Sequence, residues 1–221
     1  PNHPLVVVAC LALAAGCVRA EAPPEGFSPL FNGRDMAGWR GKVDGYEVAD
    51  GSMRCRPGHG GNVFTAAEYD DFVLRFDFKL APGANNGLGI RMPPEGDAAF
   101  VAMELQILDD GHPKYAGLQP WQVHGSIYGV VPAERGCLKP AGEWNTEEVT
   151  VRGSHVTVVV NGKTILDADV AGFRDGKTPT ADGKPHPGLA RTKGHIGFLG
   201  HGDEVAFRNL FIKPLPAAGA K

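Results

Sequence analysis

Regular alternation of apolar and polar residues is the feature that most constrains how this chain can fold. Between positions 72 and 79 every second residue carries a large apolar side chain: Phe72, Leu74, Phe76 and Phe78. Positions between them hold Arg75, Asp77 and Lys79. A period of two residues places the two sets on opposite sides of an extended strand, whereas a helix would mix them. The run therefore predicts a half-buried β-strand.

The same alternation recurs between clusters of Gly, Asn and Pro. It predicts further strands at residues 88–92, 100–108, 148–152, 156–161, 195–199 and 205–213. Turns are predicted at Pro82-Gly83, Asn161-Gly162 and Asp182-Gly183, because Gly and Asn adopt positive φ at little cost. With 31 Gly and 18 Pro in 221 residues, the composition also favours many turns. We therefore predict one all-β domain built as an antiparallel sandwich.

Two segments depart from this pattern. Residues 65–69 are the helical candidate of the chain, a single turn that contains acidic residues. Residues 173–189 have few apolar anchors and several Gly and Pro, so they predict a long surface loop.

The start of the chain predicts export. An apolar run from Pro4 to Val18 is too short to span a bilayer but has the length of a signal-peptide core. It closes on Leu13-Ala14-Ala15-Gly16-Cys17, which resembles a bacterial lipobox except that Ala14 stands where Leu is more usual. We expect a signal peptide at 1–16, a lipoprotein tether at 17–26 and a C-terminal tail at 214–221, with the protein anchored at Cys17 in the periplasm or outer membrane. An ordinary secretory signal with an incidental Cys17 is the alternative.

Lipidation of Cys17 would leave Cys55 and Cys137 as the thiols of the mature chain in an oxidising compartment. Their spacing matches no metal motif. A disulfide between them and two free thiols both remain open.

Charge excludes one class of partner. The formal net charge is −3, and Lys and Arg are scattered rather than clustered. The chain therefore lacks the basic patch that binds phosphate backbones, and we expect no nucleic acid partner. Contact with the membrane is expected only through the lipid anchor.

A polar face is predicted along residues 103–108. Alternation places Glu104 and Gln106 on one side, about 7 Å apart along the strand, and Met103, Leu105 and Ile107 on the other. On the predicted neighbour, Arg91 shares a side with Gly87 and Gly89, which leave room for a ligand. Carboxylate, amide and guanidinium groups are what sugar hydroxyls bind. A solvent-exposed sheet face with ordinary surface ions is the alternative.

The end of this strand adds further chemistry. Asp109-Asp110-Gly111-His112 brings two carboxylates and an imidazole into a turn. Turn chemistry accounts for Asp109 and Gly111, but it does not require His112.

Five stretches of the chain carry a family resemblance when they are taken together. They are Leu30-Phe31-Asn32-Gly33-Arg34-Asp35-Met36-Ala37-Gly38-Trp39, Asn85-Asn86-Gly87, Glu104-Leu105-Gln106-Ile107-Leu108-Asp109-Asp110, Gly142-Glu143-Trp144-Asn145 and Phe207-Arg208-Asn209. In this order, and over residues 27–213, the chain resembles the 3-keto-disaccharide hydrolase domain family. It departs from the family pattern at Leu199, where Gln is common.

The resemblance implies a concanavalin A-like lectin/glucanase jelly-roll β-sandwich that cleaves glycosides already oxidised to a ketone at carbon 3. Elimination followed by hydration needs a base, a partner for the enolate oxygen and an acid for the leaving group. We expect Glu104 to be the base, Arg91 to face the enolate, and His112 or His201 to supply the proton. Expected substrate-binding residues are Asn86, Gln106, Asp109, Trp121 and Lys139.

Two partners follow from the same reasoning. A sugar-oxidising enzyme would supply the keto substrate. A divalent cation could replace Arg91, with ligands drawn from Asp109, Asp110, His112 and His201, although no compact ligand spacing is present.

Two rival functions use the same face. Glucanases of this fold class resemble one another in a Glu-x-Asp-x-x-Glu strand motif, which here reads Glu104-Leu105-Gln106-Ile107-Leu108-Asp109. A retaining glycosidase needs two carboxyl groups about 5 to 5.5 Å apart, and Gln106 removes the middle acid. A non-catalytic lectin would instead stack sugars on Trp39, Trp121 or Tyr128.

Overall fold

The structure, a computed structural model, describes residues 21–216. Within this range the strands are β1 (Ser28–Pro29), β2 (Trp39–Gly41), β3 (Tyr46–Ala49), β4 (Ser52–Cys55), β5 (Gly61–Thr65), β6 (Phe72–Leu80), β7 (Asn85–Met92), β8 (Met103–Leu108), β9 (Trp144–Arg152), β10 (His155–Val160), β11 (Lys163–Asp169), β12 (His195–Gly200) and β13 (Val205–Pro214). The helices of the same residues are α1 (Ala98–Val101) and α2 (Ala171–Arg174), with 3-10 turns at Val43–Gly45, Pro113–Tyr115, Pro120–Gln122 and Pro187–Ala190.

The strands form two antiparallel sheets. The larger sheet follows the order β11-β10-β9-β6-β13-β4-β3, and β1 also pairs with β13. The smaller sheet follows the order β2-β5-β12-β7-β8. Neighbouring strands in each sheet are often distant in sequence, so the chain crosses between the sheets as it does in a jelly-roll sandwich.

Aromatic rings fill the space between the sheets. Phe198 of β12 stacks on Phe207 of β13, with ring centroids 3.7 Å apart, and meets the edge of Phe76 of β6 at 5.8 Å. All three rings are buried. The inward residues of β6 are the alternating apolar set predicted from the sequence, and burying them removes the largest apolar surfaces from water.

The six further predicted strands are all present, and the boundary that matters for the cavity described below is the start of β8. Residues 100 and 101 belong to α1, which begins after Asp97, whose Oδ1 accepts a hydrogen bond from the backbone N–H of Ala99. This is a helix N-cap, and β8 begins only at Met103. The helical turn predicted at 65–69 is wrong. Thr65 ends β5, and Tyr69 pairs with Gly194, so the backbone groups of this segment are bound to the sheet.

The smaller sheet is covered on both faces. Every residue of β8 is buried, including those that point away from the core. On the outer face Met92 and Leu199 pack against Ala98 and Ala102, beside α1. Loops over residues 112–131 and 180–190 extend this cover, so the outer face becomes a walled site rather than an open surface.

Several expectations concern the ends and the thiols. Cys55 and Cys137 are free thiols, one buried and the other half-buried. Neither helix within residues 21–216 is long and apolar enough to cross a membrane. The predicted signal peptide, Cys17 and the last residues of the tail lie outside the described residues.

Candidate active site

Two neighbouring strands form the floor of the site. In the antiparallel register of β7 and β8, Gly89 pairs with Glu104, Gly87 with Gln106, and Asn85 with Leu108. Directly paired residues share one face of a sheet. Glu104 and Gln106 therefore lie side by side above two glycines, which have no side chains to fill the space.

A cavity of about 370 Å³ lies on this floor. Its lining combines acids, amides, aromatic rings and two basic groups: Asn85, Asp97, Ala99, Phe100, Glu104, Gln106, Leu108, Tyr115, Leu118, Trp121, Gln122, Tyr128, Asp182, Lys184 and His201. The volume and the mixture of polar and aromatic groups suit a small sugar.

Glu104 is the most perturbed acid of the cavity. Glu104 is only 7% exposed. Burial, with a smaller contribution from the negative charge of Asp97, raises the pKa of Glu104 from its ordinary value to about 7. A carboxyl group with this pKa exchanges a proton readily near neutral pH.

The amides beside Glu104 present unsatisfied acceptors. The side-chain oxygens of Gln106 and Asn85 are buried, and neither has a hydrogen-bond partner within residues 21–216. Both residues line the cavity. A buried acceptor without a donor costs free energy, so these oxygens suit a ligand rich in hydroxyl donors.

Aromatic residues form one wall. The rings of Trp121 and Tyr128 lie perpendicular to each other with centroids 5.0 Å apart, and Tyr115 lines the same cavity. Nε2 of Gln122 donates a hydrogen bond to the Tyr128 hydroxyl at 3.4 Å. Ring faces fixed in this way are suited to the C–H faces of sugars.

Charged residues form the other wall. Asp182 and Lys184 belong to the loop after α2, and the ammonium group of Lys184 lies 5.7 Å from the ring centre of Phe100 on α1. His186, stacked on the same ring at 5.0 Å, joins this loop to α1. The site therefore offers an acid of raised pKa, a cation and several acceptors in one cavity.

Arg91 does not lie where its predicted role requires, because it is not among the residues that line the cavity. Arg91 adopts φ = +53°, which interrupts the alternation of β7 and turns its side chain away from Glu104. The guanidinium is 1% exposed. It donates hydrogen bonds to Asp71 and to the backbone carbonyls of Asp70, Gly153 and Arg191. Arg91 ties these segments together and does not line the cavity.

Two predicted binding residues also lie elsewhere. Asn86 is fully buried on the core side of β7, where its Oδ1 accepts from the N–H of Gly87, and its neighbour Asn85 takes the place in the cavity. Successive residues of a strand point to opposite faces, so only one of the two asparagines can reach the cavity. Lys139 donates from Nζ to the carbonyl of Trp144 at 2.9 Å and is absent from the cavity lining.

The turn after β8 is structural in this arrangement. Oδ2 of Asp109 accepts from the N–H of Gly83 at 2.7 Å, and Nδ1 of His112 accepts from the N–H of Lys114 at 3.3 Å. Neither side chain lines the cavity, so Glu104 and Asp109 are not the two acids of one pocket. His201, the other predicted proton donor, does line the cavity.

Within residues 21–216, no group of three or more His, Cys, Asp and Glu side chains is arranged to hold a metal ion.

Sequence reasoning missed several lining residues. Phe100 belongs to α1 but falls in the segment 100–108 that was predicted to be a strand. Asp97 is the N-cap of α1 and precedes that segment, although an Asp before an Ala-rich turn is an N-cap pattern. For Asp182 the sequence predicts only a turn, with Gly183. Lys184 lies in the same loop, and neither residue is in a periodic segment that could indicate a cavity.

Comparison with known proteins supports the fold and identifies relatives. The family described as the 3-keto-alpha-glucoside-1,2-lyase-like domain matches residues 26–213. A 3-keto-disaccharide hydrolase of Bacteroides thetaiotaomicron is 27% identical over an alignment of 229 positions, which covers 86% of this chain and 79% of that protein.

Two solved structures have the same architecture. A proposed glycosyl hydrolase from Parabacteroides distasonis is 31% identical, with a TM-score of 0.76, over 86% of this chain and 99% of that one. A Bacillus subtilis protein with a galectin-like fold is 14% identical, with a TM-score of 0.58, over 90% of this chain and 99% of that one. The predicted lectin-like jelly-roll class is therefore confirmed.

Proposed function

Because this chain belongs to the family of 3-keto-alpha-glucoside-1,2-lyase-like domains, we propose that it cleaves 3-keto-glycosides, including 3-keto-disaccharides. The observation that carries the proposal is Glu104, a buried acid with a pKa of about 7 that lines a sugar-sized cavity. The Bacteroides thetaiotaomicron relative, named for hydrolysis of such disaccharides, supports the same substrate class.

The ketone determines the route of cleavage. A carbonyl at carbon 3 acidifies the hydrogen on carbon 2, and the carboxylate of Glu104 removes that proton to give an enolate. The enolate collapses, the bond from carbon 1 to the glycosidic oxygen breaks, and the departing oxygen takes a proton. Water then adds across the new double bond, with its oxygen on carbon 1 and a proton on carbon 2. The net reaction is hydrolysis.

Two basic residues of the cavity suit the other steps. We assign Lys184 to the position beside the enolate oxygen that the sequence assigned to Arg91, because Lys184 lines the cavity and Arg91 does not. His201 supplies the proton to the leaving oxygen. A positive charge near a developing oxyanion lowers the barrier more in a partly desolvated cavity than in water.

The amides and rings hold the substrate in this proposal. The unpartnered oxygens of Gln106 and Asn85 accept hydrogen bonds from sugar hydroxyls. Trp121 and Tyr128 contact the sugar faces. A substrate fixed by these groups would present carbon 2 to Glu104.

The location of the protein belongs to the same proposal. The lipobox-like segment ending at Cys17 favours a lipoprotein that meets glycosides in the cell envelope. An oxidoreductase that converts the carbon 3 hydroxyl to a ketone must act first, because the unoxidised sugar lacks an acidic hydrogen on carbon 2.

One assay tests the activity directly. Purified protein is incubated in deuterated water with a 3-keto-glucoside and with its unoxidised parent, each with and without a chelator. We expect aglycone release from the keto compound alone, together with deuterium on carbon 2 of the product. Cleavage of the unoxidised parent, or of neither compound, would contradict the proposal. Aglycone release without deuterium would contradict the elimination route, and loss of activity with the chelator would assign a divalent cation to the enolate step.

A further inference from the structure

Asp182 lines the active-site cavity although its side chain is only 4% exposed. One carboxylate oxygen accepts hydrogen bonds from the N–H of Lys184 at 2.9 Å and from the hydroxyl of Thr180 at 3.2 Å. Both oxygens lie 3.2 Å from Nε2 of His186. The carboxylate is therefore held on one side by its own loop, while it borders the cavity on the other.

His186 connects this carboxylate to α1. Its Nδ1 lies 2.9 Å from the carbonyl oxygen of Ala99, and its ring stacks on Phe100. Both residues belong to α1 and line the cavity. The His186 ring thus fixes the position of Asp182 relative to α1.

The backbone places the same loop relative to Glu104. The N–H of Asp182 donates to the carbonyl of Gly129 at 2.9 Å, and the N–H of Tyr128 donates to the carbonyl of Glu104 at 2.9 Å. A Cβ atom on Gly129 would lie 2.6 Å from Oδ2 of Asp182 and 2.7 Å from the His186 ring. Only glycine permits this approach, so the carboxylate has a defined position with respect to the strand that carries Glu104.

The pKa values of Asp182 and Glu104 are shifted in opposite directions. Burial alone would raise the pKa of Asp182, but hydrogen bonds from Lys184, His186 and Thr180 outweigh burial and lower it below its ordinary value. Asp182 remains ionised in the range where Glu104 titrates. A carboxylate of low pKa is a weak base for a C–H bond but a strong acceptor for hydroxyl groups.

We propose that Asp182 is a specificity-determining residue that accepts a hydrogen bond from a substrate hydroxyl, and that His186 is the positioning residue that aims its carboxylate. The inference rests on the proposed function. In a 3-keto-glucoside, carbon 3 is the ketone, and the hydroxyl on carbon 2 is attached to the reacting carbon that the proposed function places beside Glu104. The inference therefore assigns Asp182 to one of the other two hydroxyls of that ring, on carbon 4 or carbon 6.

The test compares a 3-keto-glucoside with its 4-deoxy and 6-deoxy analogues. A hydrogen bond to a charged acceptor contributes about 10- to 100-fold in affinity, so wild-type kcat/KM should fall by that factor for one analogue. In Asp182→Asn the KM for the parent should rise at least about tenfold with kcat within about threefold, and the preference over that analogue should drop below about threefold. His186→Asn should weaken the same preference.

Asp175→Asn is the matched control. Asp175 accepts from the N–H of Lys177 in the same kind of turn and the same loop, but it does not line the cavity. It should keep the wild-type preference. The ratio of two substrates in one preparation does not depend on how much enzyme is folded, so a destabilised variant remains informative.

Two results would overturn the inference: a wild-type enzyme indifferent to both deoxy analogues, or an Asp182→Asn variant that retains the wild-type preference. If the wild type cleaves none of the compounds, the proposed function fails, and calorimetric binding of the same three sugars then decides the role of Asp182 from the corresponding ratios of Kd. Absence of binding to all three would overturn both.

Discussion

The carboxyl group of Glu104 lies over the backbone of Gly87 on the neighbouring strand. A Cβ atom at Gly87 would overlap Oε1 of Glu104 and stand 3.0 Å from both Cδ and Cγ. The glycine is needed for space, since its φ is not in the left-handed region. Because Gly87 has no side chain, the carboxyl group of Glu104 can occupy this buried position. Burial is the main cause of the raised pKa of Glu104.

Gly87→Ala should therefore displace the catalytic carboxylate. A shift of about 1 Å in a reacting group can cost about 100-fold in rate, so we expect kcat/KM for a 3-keto-glucoside to fall by about 10- to 100-fold. Gly111→Ala is the control, because a Cβ there meets no atom within 4 Å. Wild-type kinetics in Gly87→Ala would show that the position of Glu104 is unimportant for turnover.

Glu104→Gln should remove the base and preserve the shape of the side chain. Loss of a general base costs about 100- to 10,000-fold in kcat. Glu134→Gln, at an exposed residue paired with Lys163, should leave the rate unchanged. The measurement is steady-state release of the aglycone from a 3-keto-glucoside. A rate within about threefold of wild type would transfer the base role to another group, with His201 as the candidate because it also lines the cavity.

Much of the fold was predictable because strand periodicity is a local property. The alternation in residues 72–79 predicted β6 and its buried face, and the alternation in residues 103–108 placed Glu104 and Gln106 on one side of β8. The helix at 65–69 failed for a non-local reason: Tyr69 pairs with Gly194, more than a hundred residues away.

Alternation could predict the site only where regular strands form it. Alternation failed at Arg91, because one residue with positive φ reverses the direction of the side chains, and no local pattern reveals that conformation. At Asn86 alternation was right and the expectation of substrate binding was wrong, because the pattern that puts Gly87 on the site face puts its neighbour Asn86 on the core face. Asp182 and Lys184 reach the cavity through a loop whose path depends on contacts of His186 with α1, which a linear pattern cannot indicate.

Arg91→Lys should destabilise the fold and spare the chemistry. Lysine keeps the charge beside Asp71, but its three N–H donors all lie on one nitrogen. Arg91 donates from three separate nitrogens to acceptors on different segments, which a single ammonium group cannot reach together. Unmatched buried carbonyls should lower the free energy of unfolding by about 2 to 4 kcal/mol, measured by urea denaturation. Arg135→Lys, at an exposed residue, should change it by less than about 0.5 kcal/mol. Unchanged stability together with a large loss of kcat would return Arg91 to the enolate role.

Cys17→Ser tests the proposed anchor. If Cys17 carries the lipid, the variant expressed in the native host should move from the membrane fraction to the soluble fraction, because removal of the acyl chains removes their insertion energy. Its kcat/KM should match that of the wild type. Cys55→Ser serves as the control and should stay with the membrane. Wild-type protein found in the soluble fraction would contradict the lipobox interpretation.

The raised pKa of Glu104 also predicts how stability depends on pH. The ordinary pKa of 4.5 applies to the unfolded chain and a value of about 7 to the folded one, so between these pH values the folded state binds more protons. The free energy of unfolding must then fall as pH rises through this window. The contribution of Glu104 to the free energy of unfolding is fully present below pH 4.5 and is lost above pH 7. The difference between the two pKa values corresponds to about 3 kcal/mol of that free energy. Glu104→Gln has no proton to lose at this position, so it should be close to wild type at pH 4.5 and more stable by roughly that amount at pH 8. Urea denaturation of both proteins and of Glu134→Gln, at the two pH values, measures the difference. An equal gap between wild type and Glu104→Gln at both pH values would mean that Glu104 titrates in the folded protein as it does in the unfolded chain, and that its burial does not prepare it for proton transfer near neutral pH.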